Sequence, residues 1–367
     1  MNPENSIFYL SLFVLLILFV ISFYNYLTAP RITVKKEIRS NKFVSVLIPA
    51  RNEETNIKDC INSVLNQKYK NFEVFVLDDD STDDTYKTVQ DILLKSDKIK
   101  LMPGKPLPEG WLGKNWACSQ LAENANGEIF LFIDADVRLS TDALNSSLEL
   151  FQNKRLNMLS CFPTQEINTI GERLIVPLMN YFLLSLLPLK KVFSSGNKSF
   201  AAANGQFVMI DKITYNIIGG HRRIKNEIVE DMELARLLKI EGFSILTALG
   251  DKSVYCRMYD TFNGSFRGFS KNFFPGFKTN FLFFLIMIFL YSLIFIYPFF
   301  LLANDIFYLV HITLIIMIRI FISLSSRQNV IINIILHPLQ IVIMLLIAIN
   351  SVWQSKMKKI DWKGRKL

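Results

Sequence analysis

Long and short apolar segments alternate with polar stretches along this chain of 367 residues. Four of the segments are long enough to cross a bilayer as a helix, which takes about 20 apolar residues. They cover residues 7–27, 281–303, 306–324 and 330–352. About 250 residues separate the first from the second, enough for one large folded domain. The pattern predicts four parts: an N-terminal transmembrane anchor (1–30), a folded domain (43–277), a C-terminal transmembrane region (281–352) and a basic tail (353–367).

Inside the folded domain, apolar runs typical of buried strands alternate with segments of helical spacing. The strand-type runs cover residues 44–48, 72–77 and 129–133. Apolar residues recur at helical intervals in 55–67 and 85–95. This order predicts an α/β fold with a parallel sheet and right-handed crossovers, in which ligands bind beyond the carboxyl ends of the strands. Because polar or acidic residues follow each run, we expect these clusters to meet in one crevice.

Two aspartates, Asp134 and Asp136, follow the third strand-type run in the sequence IFLFIDADV. On an extended segment, residues i and i+2 point the same way, so both carboxylates can reach one hard divalent cation. Such a cation keeps coordination positions open for the phosphate oxygens of a nucleotide diphosphate. Taken alone, this tripeptide is more often a solvated acidic loop. The polar ends of the neighbouring strands favour the metal site.

The composition argues against several classes of site. Four cysteines form no CxxC pair and only three histidines are present, so the sequence supports neither a zinc site nor a disulfide framework. Free thiols fit a reducing cytosol. The net charge of +9 is compatible with nucleic-acid binding, but the basic residues lie beside apolar segments and no nucleic-acid-binding module is recognisable. We expect attraction to anionic lipid, and no nucleic acid as a partner.

Charges that flank the apolar segments predict the orientation in the membrane. No small-residue cleavage site follows segment 7–27, so it is interpreted as an anchor and not as a signal peptide. After it come five basic residues: Arg31, Lys35, Lys36, Arg39 and Lys42. By the positive-inside rule they place the folded domain in the cytoplasm.

The basic tail sets a constraint on the number of crossings. It contains Lys356, Lys358, Lys359, Lys363, Arg365 and Lys366. If all three C-terminal segments crossed, this tail would lie outside, against the positive-inside rule. We therefore expect that one segment does not cross. The best candidate is 330–352, because His337-Pro338 interrupts it.

Four motifs in the folded domain resemble the motif series of a known enzyme family. They are PARNEE (49–54), VLDDDSTDDT (76–85), FIDADV (132–137) and VEDMELA (229–235). Over residues 44–277 the chain resembles the inverting family-two glycosyltransferases, which have the GT-A fold. The stretches PLPEGWLGKNWA (106–117) and AAANG (201–205), and the tail Asp361–Arg365, are similar to lipid-modifying members, the bacterial hopanoid-associated and carotenoid (diaponeurosporenoate) enzymes.

The resemblance implies a role for residues in each motif. It assigns nucleotide-sugar binding to Pro49, Arg51, Glu53, Asp78, Asp79, Lys114 and Asp134. It implies Mg²⁺ or Mn²⁺ held by Asp136 and Asp134, and acceptor or diphosphate contacts from Gly205, Gly220, Arg257 and Arg267. Arg51 and Lys114 would add positive charge near the nucleotide, although solvated loop residues of these types are common.

The Glu230-Asp231 pair is the candidate catalytic base, with Asp231 preferred and Glu230 as the alternative. Inversion requires a base that faces the anomeric carbon from the acceptor side. The pair also begins a helical pattern, where acidic residues are favoured by the helix dipole without any catalytic role. Its place after the Gly219-Gly220-His221 turn in the family motif series favours catalysis.

The apolar stretch 173–193 lies between the Asp134 motif and the Glu230-Asp231 pair. A membrane crossing here would put two halves of one active site on opposite sides, so the stretch must stay on one side. Pro177 and Pro188 interrupt it and Lys190 follows, which predicts a helix lying in the membrane interface that could deliver a lipid acceptor. The alternative is an ordinary core helix.

Together these features predict a multi-pass enzyme of the bacterial cell membrane with a cytoplasmic catalytic domain. Processive polysaccharide synthases of the family carry a Gln-x-x-Arg-Trp motif, and this chain does not, so a single transfer is implied. We expect one hexose to pass from a nucleotide sugar, UDP-linked, to a lipid acceptor with inversion. Two alternatives remain: a polyprenyl-phosphate glycosyl synthase, which needs no base, and a catalytically silent membrane scaffold.

Overall fold

The computed structural model describes residues 3–33, 40–94, 96–357, 361–362 and 365–366. Several basic residues used for the orientation argument lie outside the described residues: Lys35, Lys36, Arg39, Lys358, Lys359 and Lys363. The strands are β1 Val44–Ala50, β2 Phe72–Asp78, β3 Ile99–Pro103, β4 Ile129–Ile133, β5 Val137–Leu139, β6 Met158–Phe162, β7 Thr164–Gln165, β8 Phe207–Asp211, β9 Ile245–Leu249, β10 Val254–Cys256, β11 Asp361–Trp362 and β12 Arg365–Lys366.

Helices precede, separate and follow these strands, and two further turns, Lys198–Phe200 and Ile306–Tyr308, are 3-10 helices. The α-helices are α1 Pro3–Thr28, α2 Ile57–Leu65, α3 Thr85–Leu93, α4 Gly113–Asn124, α5 Ala143–Asn153, α6 Ile170–Ile175, α7 Pro177–Leu186, α8 Lys191–Ser194, α9 Lys212–Ile217, α10 Gly220–Arg223, α11 Glu230–Ile240, α12 Phe262–Phe277, α13 Phe281–Leu301, α14 Leu309–Ser325, α15 Val330–Ile335 and α16 His337–Lys356.

The chain forms two compact units. The first contains the long apolar helices and covers Met1–Ala29, Ile167–Lys191 and Met258–Ile360. The second contains the sheets and covers Pro30–Glu166, Val192–Arg257 and Asp361–Leu367. Two parts of the predicted domain range 43–277, residues 167–191 and 258–277, therefore belong to the first unit.

The larger sheet of the second unit has the strand order β3-β2-β1-β4-β8-β6-β9. Strands β1, β2, β3 and β4 are parallel, as the alternating pattern predicted. Beyond β4 the sheet is mixed, because β8 runs antiparallel to both β4 and β6. Strand β8 lies far from β4 in sequence, so short-range apolar alternation contained no signal for its direction.

Strand register brings the carboxyl ends of β1, β2 and β4 together. Ala50 at the end of β1 is aligned with Asp78 at the end of β2, and Leu47 is aligned with Phe132 of β4. All residues of these three strands are buried, as expected for a sheet covered on both faces. The polar residues after each strand therefore emerge at one edge of the sheet.

In the first unit, α1 and α14 run side by side in the same direction. Near the start of both helices, Ser11 Oγ lies 3.0 Å from His311 Nε2 and also accepts a hydrogen bond from Tyr297 near the end of α13. Further along, Phe321 of α14 packs against Phe23 of α1, with ring centroids 5.1 Å apart. Helix α14 therefore ends beside the C-terminal end of α1, and α13 begins at that same end of the bundle.

The apolar segment 330–352 is not one helix, because α15 and α16 are separated at Leu336. Close to the start of this segment, Asn333 Nδ2 donates to Ser323 Oγ near the end of α14, at 3.0 Å. At its finish, Lys356 Nζ lies 3.1 Å from the ring centroid of Phe281, the first residue of α13. The chain thus leaves one end of the bundle after α14 and returns to the same end after α16.

Arg319 of α14 is buried where α15 and α16 separate. Its Nε donates to the carbonyl oxygen of Asn333 at 3.1 Å, and its guanidinium lies 4.3 Å from the ring centroid of Tyr181. A cation beside the last carbonyls of a helix is favoured by the helix dipole. Arg319 therefore donates a hydrogen bond to a carbonyl oxygen near the C-terminal end of α15, a group that lipid could not satisfy.

The stretch 173–193 consists of parts of three short helices, α6 to α8, and not of one helix. Asn25 of α1 fixes it, because its Nδ2 donates to the carbonyl oxygens of Leu184 and Leu187 and its Oδ1 accepts from Leu189 N, each at 2.8 Å. Helix α7 therefore packs among the long apolar helices of the first unit. Its residues Leu178, Tyr181 and Leu184 are buried. The interfacial helix and its alternative, an ordinary core helix, both stay predictions.

Candidate active site

A cavity opens in the second unit at the edge where the parallel strands end. Six residues singled out from the sequence line it: Pro49, Lys114, Asp134, Gly205, Glu230 and Asp231. They come from β1, from the start of α4, from the loops after β4 and before β8, and from the first turn of α11. Residues far apart in sequence meet here because β1, β4 and β8 are neighbours in the sheet.

Lys114 joins the two acidic sides of this cavity. Its Nζ lies 2.8 Å from Asp134 Oδ1 and 2.9 Å from Glu230 Oε1. Burial by itself would lower the pKa of Lys114, but the two carboxylates outweigh it and hold the pKa well above its usual value. Lys114 therefore remains a cation, suited to pairing with phosphate oxygens in place of one of these carboxylates.

Asp231 and Glu230 have opposite electrostatic environments although they are adjacent. Asp231 Oδ2 accepts from Gly205 N at 2.6 Å and Oδ1 accepts from Met232 N at 2.7 Å. Burial and the negative charge of Glu230 raise the pKa of Asp231 to about 7. Burial opposes ionisation of Glu230 too, yet the attraction of Lys114 prevails and lowers its pKa. Of the two carboxylates, Asp231 is the one suited to exchange a proton near neutral pH.

Asp134 and Asp136 follow β4 and fit a divalent cation by the chemistry of their oxygens. Asp136 Oδ1 is buried and has no hydrogen-bond partner among the described residues. Burial and the charge of Asp134 raise the pKa of Asp136 to about 7, and burial also raises the pKa of Asp134. Two carboxylates that repel each other are stabilised by a shared cation. No group of three or more His, Cys, Asp or Glu side chains in the described residues could hold a metal ion.

The loops after β1 and β2 are tied together by Arg51. Its guanidinium donates to the carbonyl oxygens of Asp79 and Asp80, the latter at 2.8 Å. Asp79 is buried, and Asp78 has a buried Oδ1 without a hydrogen-bond partner in the described part of the chain. Glu53 raises the pKa of Asp136 through its charge, although it does not line the cavity. These four predicted nucleotide-site residues are thus not among the residues that line the cavity.

The remaining predicted acceptor or diphosphate contacts, Gly220, Arg257 and Arg267, do not line the cavity. Gly220 has a φ of +49°, and an added Cβ would meet Tyr215 Cζ at 2.3 Å, so its place is fixed by packing. Arg257 follows β10 in the second unit. Arg267 lies in α12 of the first unit and is not among the residues of the cavity wall.

Sequence reasoning missed several residues that line the cavity. They are Cys118, Phe132, Ile133, Val208, His221 and Leu234. The Gly219-Gly220 pair was the one available signal for His221, since both glycines adopt positive φ angles and so mark a tight turn. The sequence did not show that this turn places an imidazole beside Glu230.

Gly205 offers a direct test of how closely this cavity is packed. A Cβ at this position would lie 3.0 Å from both Glu230 Oε1 and Lys114 Nζ. We expect Gly205→Ala to displace the ion pair by a few tenths of an ångström and to lower turnover roughly tenfold. Gly196→Ala is the matched control, because a Cβ there meets nothing within 4 Å. Equal activity of the two variants in a steady-state transfer assay would contradict the prediction.

Part of the cavity wall falls within a match to a known enzyme family. Residues 45–211 match the family model for glycosyl transferase family 2. This part of the chain is a glycosyltransferase family 2 domain. The family resemblance seen in the sequence motifs is thereby confirmed.

Two curated relatives of the glycosyltransferase domain have names that refer to lipid-related compounds. A 4,4'-diaponeurosporenoate glycosyltransferase from Staphylococcus haemolyticus is 27% identical over 243 residues, which is 65% of this chain and 63% of the relative. A beta-monoglucosyldiacylglycerol synthase from Nostoc sp. is 34% identical over 125 residues, 33% of this chain and 26% of the relative. The chain therefore spans less than two thirds of the length of these relatives.

A solved structure supports the fold over most of the chain. The mannosyltransferase PcManGT from Pyrobaculum calidifontis, in complex with GDP-Man and Mn²⁺, aligns with a TM-score of 0.53 at 14% identity. The alignment covers 95% of this chain and 99% of that one. The glycosyltransferase domain thus has a mixed α/β sheet of the GT-A type, as expected. Helices long and apolar enough to cross a membrane, by length and composition, are Ser6–Thr28, Phe281–Leu301, Ile306–Ser325 and His337–Lys356.

Proposed function

We propose that this protein is a membrane-bound glycosyltransferase that transfers one hexose from a nucleotide sugar to a lipid acceptor with inversion. The observation that carries the proposal is the meeting of Asp134, Lys114 and Asp231 in one cavity. Their presence in one cavity supports a site for the leaving diphosphate beside a candidate base for the incoming hydroxyl.

Asp231 is the proposed catalytic base. A carboxylate whose pKa is about 7 is ionised in part at neutral pH and still binds a proton well, which is the compromise that general-base catalysis favours. Glu230 is engaged by Lys114 and has a lowered pKa, so it is a weaker proton acceptor. The sequence left the choice between them open, and these environments support Asp231.

The donor is proposed to be a nucleotide-linked hexose held with Mg²⁺ or Mn²⁺. Asp134 and Asp136 would hold the cation, which neutralises the charge that develops on the departing diphosphate. Lys114 would bind a phosphate oxygen, and the loops that Arg51 ties together would receive the nucleoside. The complex of PcManGT with GDP-Man and Mn²⁺ supports this class of ligand. We propose UDP as the nucleotide, to be tested by competition between UDP and GDP.

The acceptor is proposed to be a membrane lipid. The two curated relatives are named for a carotenoid acid and for a diacylglycerol product, which supports a lipid-related acceptor. The long apolar helices of this chain support access to a bilayer. Helix α7 contacts α1, one of those helices, which supports a position of α7 close to the bilayer.

Comparative lipid analysis tests this function. Lipids would be extracted from cells that lack the gene and from the same cells complemented with the wild-type chain or with Asp136→Asn. We expect a lipid class heavier by one hexosyl residue with the wild type alone. The anomeric configuration of its sugar, read by NMR, should be opposite to that of the donor. Lipid profiles that do not differ would contradict the proposal.

The same strains separate the two alternative functions. A polyprenyl-phosphate nucleophile needs no deprotonation, so a glycosylated polyprenyl phosphate that still forms after both Glu230→Gln and Asp231→Asn would identify that synthase. Purified protein that binds no nucleotide diphosphate with or without Mn²⁺ would indicate a silent scaffold.

The membrane orientation is proposed from the two ends of the helical bundle. The end that contains Phe281 and Lys356 is also the end at which α1 and α14 finish. At this end the chain passes from α1 into the second unit, at Pro30. We propose that α1, α13 and α14 cross, that α15 and α16 form a re-entrant hairpin, and that the catalytic domain and the basic tail are both cytoplasmic.

Cysteine labelling tests this orientation. We expect Asn304→Cys, in the exposed turn between α13 and α14, to react with a membrane-impermeant maleimide in intact cells. Met357→Cys, exposed just after α16, should react only after the cells are permeabilised. The four native thiols are buried and give a low background. Labelling of Met357→Cys in intact cells would show that 330–352 crosses and would contradict the proposal.

A further inference from the structure

His221 lies in the wall of the cavity, and its ring and backbone both contact the hydroxyl of Tyr215, which does not line the cavity. The Tyr215 hydroxyl is 2.8 Å from His221 Nδ1 and 3.2 Å from the backbone nitrogen of His221. Both side chains are buried. The backbone N–H has its proton fixed, so it donates to the hydroxyl oxygen.

This pair of contacts determines which ring nitrogen carries the proton. A phenol has one proton to donate, and Tyr215 has no other acceptor for it in the described part of the chain. If Nδ1 were protonated, the buried phenol proton would be left without an acceptor, which is costly. The hydroxyl therefore donates to Nδ1, and the ring proton sits on Nε2. Burial lowers the pKa of His221 to about 4, so the ring is neutral as well.

Packing keeps the imidazole in this orientation. The ring of Phe132 approaches it edge-on, with centroids 5.0 Å apart, and Phe132 also packs against Tyr215. Gly220 lies so close to Tyr215 that an added Cβ would be 2.3 Å from its Cζ. The absence of a side chain at Gly220 thus leaves the space in which the Tyr215 phenol contacts the imidazole.

The open corner of the imidazole is Nε2. This atom has no hydrogen-bond partner among the described residues. It is also not one of the fully buried polar atoms that lack a partner, so it is accessible from the cavity. Glu230 and Lys114 are the charged groups that act on the ring, and both line the same cavity. The cavity therefore presents a neutral N–H donor next to a carboxylate acceptor.

We propose that His221 recognises the sugar of the nucleotide donor, with Nε2–H donating to one hydroxyl oxygen whose own proton is accepted by the neighbouring carboxylate. A hydroxyl group both donates and accepts, so it matches this pair. A phosphate group would be repelled by the carboxylate of Glu230 and attracted by the ammonium group of Lys114. Tyr215 is the positioning residue, because it acts through the ring that it orients. This inference rests on the proposed function and specifies how the sugar is selected.

The tautomer is tested by NMR of the full-length protein labelled with ¹⁵N-histidine. His221 is assigned as the signal lost in His221→Gln, and His311 and His337 serve as internal references. We expect the neutral Nε2–H form at pH 7 in the wild type, and a mixture of both tautomers in Tyr215→Phe. Tyr86→Phe, an exposed tyrosine on α3, should change nothing. An Nδ1–H or doubly protonated ring in the wild type would overturn the inference.

Sugar recognition is tested by comparing the affinities of UDP-glucose and UDP, with GDP-mannose and GDP as the second pair. We expect His221→Ala to weaken the sugar nucleotide by about three- to tenfold and to leave the free diphosphate unchanged. His221→Gln, which keeps an N–H donor, should recover most of the loss. Loss of both ligands equally, or of neither, would overturn the inference.

A third measurement distinguishes the two sources of a hydroxyl group. If His221→Ala raised the KM of the lipid acceptor and left donor affinity unchanged, the hydroxyl would belong to the acceptor and the donor-sugar assignment would be wrong. Failure of the wild type to bind any of the four nucleotides would instead contradict the proposed function. The NMR measurement would still decide the state of His221.

Discussion

Asp136→Asn is expected to lower turnover by about 10³-fold or more and to weaken the binding of Mn²⁺ in the presence of UDP. The substitution preserves shape but removes one of the two anionic oxygen donors, and a bound cation contributes several kcal/mol to neutralising a leaving group. Asp136 Oδ1 is buried and has no hydrogen-bond partner in the described residues, so the substitution breaks no protein hydrogen bond of this atom. Turnover is measured by transfer assay, and Mn²⁺ binding by electron paramagnetic resonance.

The control for this prediction is Asp91→Asn. Asp91 lies on the exposed face of α3 in the same unit, so its loss changes net charge equally without touching the cavity. Near-normal turnover of Asp136→Asn in chelator-treated protein would show that the carboxylates do not act through a metal. Lost turnover with unchanged Mn²⁺ binding would assign Asp136 a different role.

Asp231→Asn is expected to lower turnover by the roughly 10²- to 10⁴-fold typical of a lost general base. Nucleotide affinity should stay nearly unchanged, since the proposed role of Asp231 is toward the acceptor and Lys114 and Asp134 remain in place. The measurement combines transfer kinetics with UDP titration. A large loss of donor affinity would reassign Asp231 to the nucleotide site.

The rate should also depend on pH with a definite sign. A base works in its deprotonated form, and burial with the charge of Glu230 raises the pKa of Asp231 to about 7. Turnover of the wild type should therefore fall as pH decreases through about 7. With Mn²⁺ at saturation, which keeps Asp136 ionised, Asp231→Asn should lack this step in its residual rate. The pKa of Glu230 is lowered, so Glu230 should not titrate in this range.

Glu233→Gln separates catalysis from helix capping. Glu233 lies in the same first turn of α11 as Asp231 and interacts equally with the helix dipole, yet it pairs with Arg236 and does not line the cavity. We expect this variant to keep its turnover. If both variants lost activity to the same extent and melted at a lower temperature, the acidic turn would be structural.

The sequence by itself determined where the active carboxylates emerge. Buried strands such as 44–48 and 72–77 are short, mostly apolar and followed by polar residues, and this local pattern fixes both the element and its end. Parallel order then follows from the intervening helices, and the register of Ala50 with Asp78 agrees with it. The long apolar segments were visible for the same reason, because crossing length is a property of consecutive residues.

Tertiary structure decided how those residues act on one another. The ion pairs of Lys114, the opposite pKa shifts of Asp231 and Glu230, and the tautomer of His221 depend on contacts between residues up to about a hundred positions apart. The reversed direction of β8 and the break at Leu336 depend on neighbouring strands and helices as well. Apolar periodicity reports which face of an element is buried, whereas charge, protonation and chain direction are set by what is packed against that face.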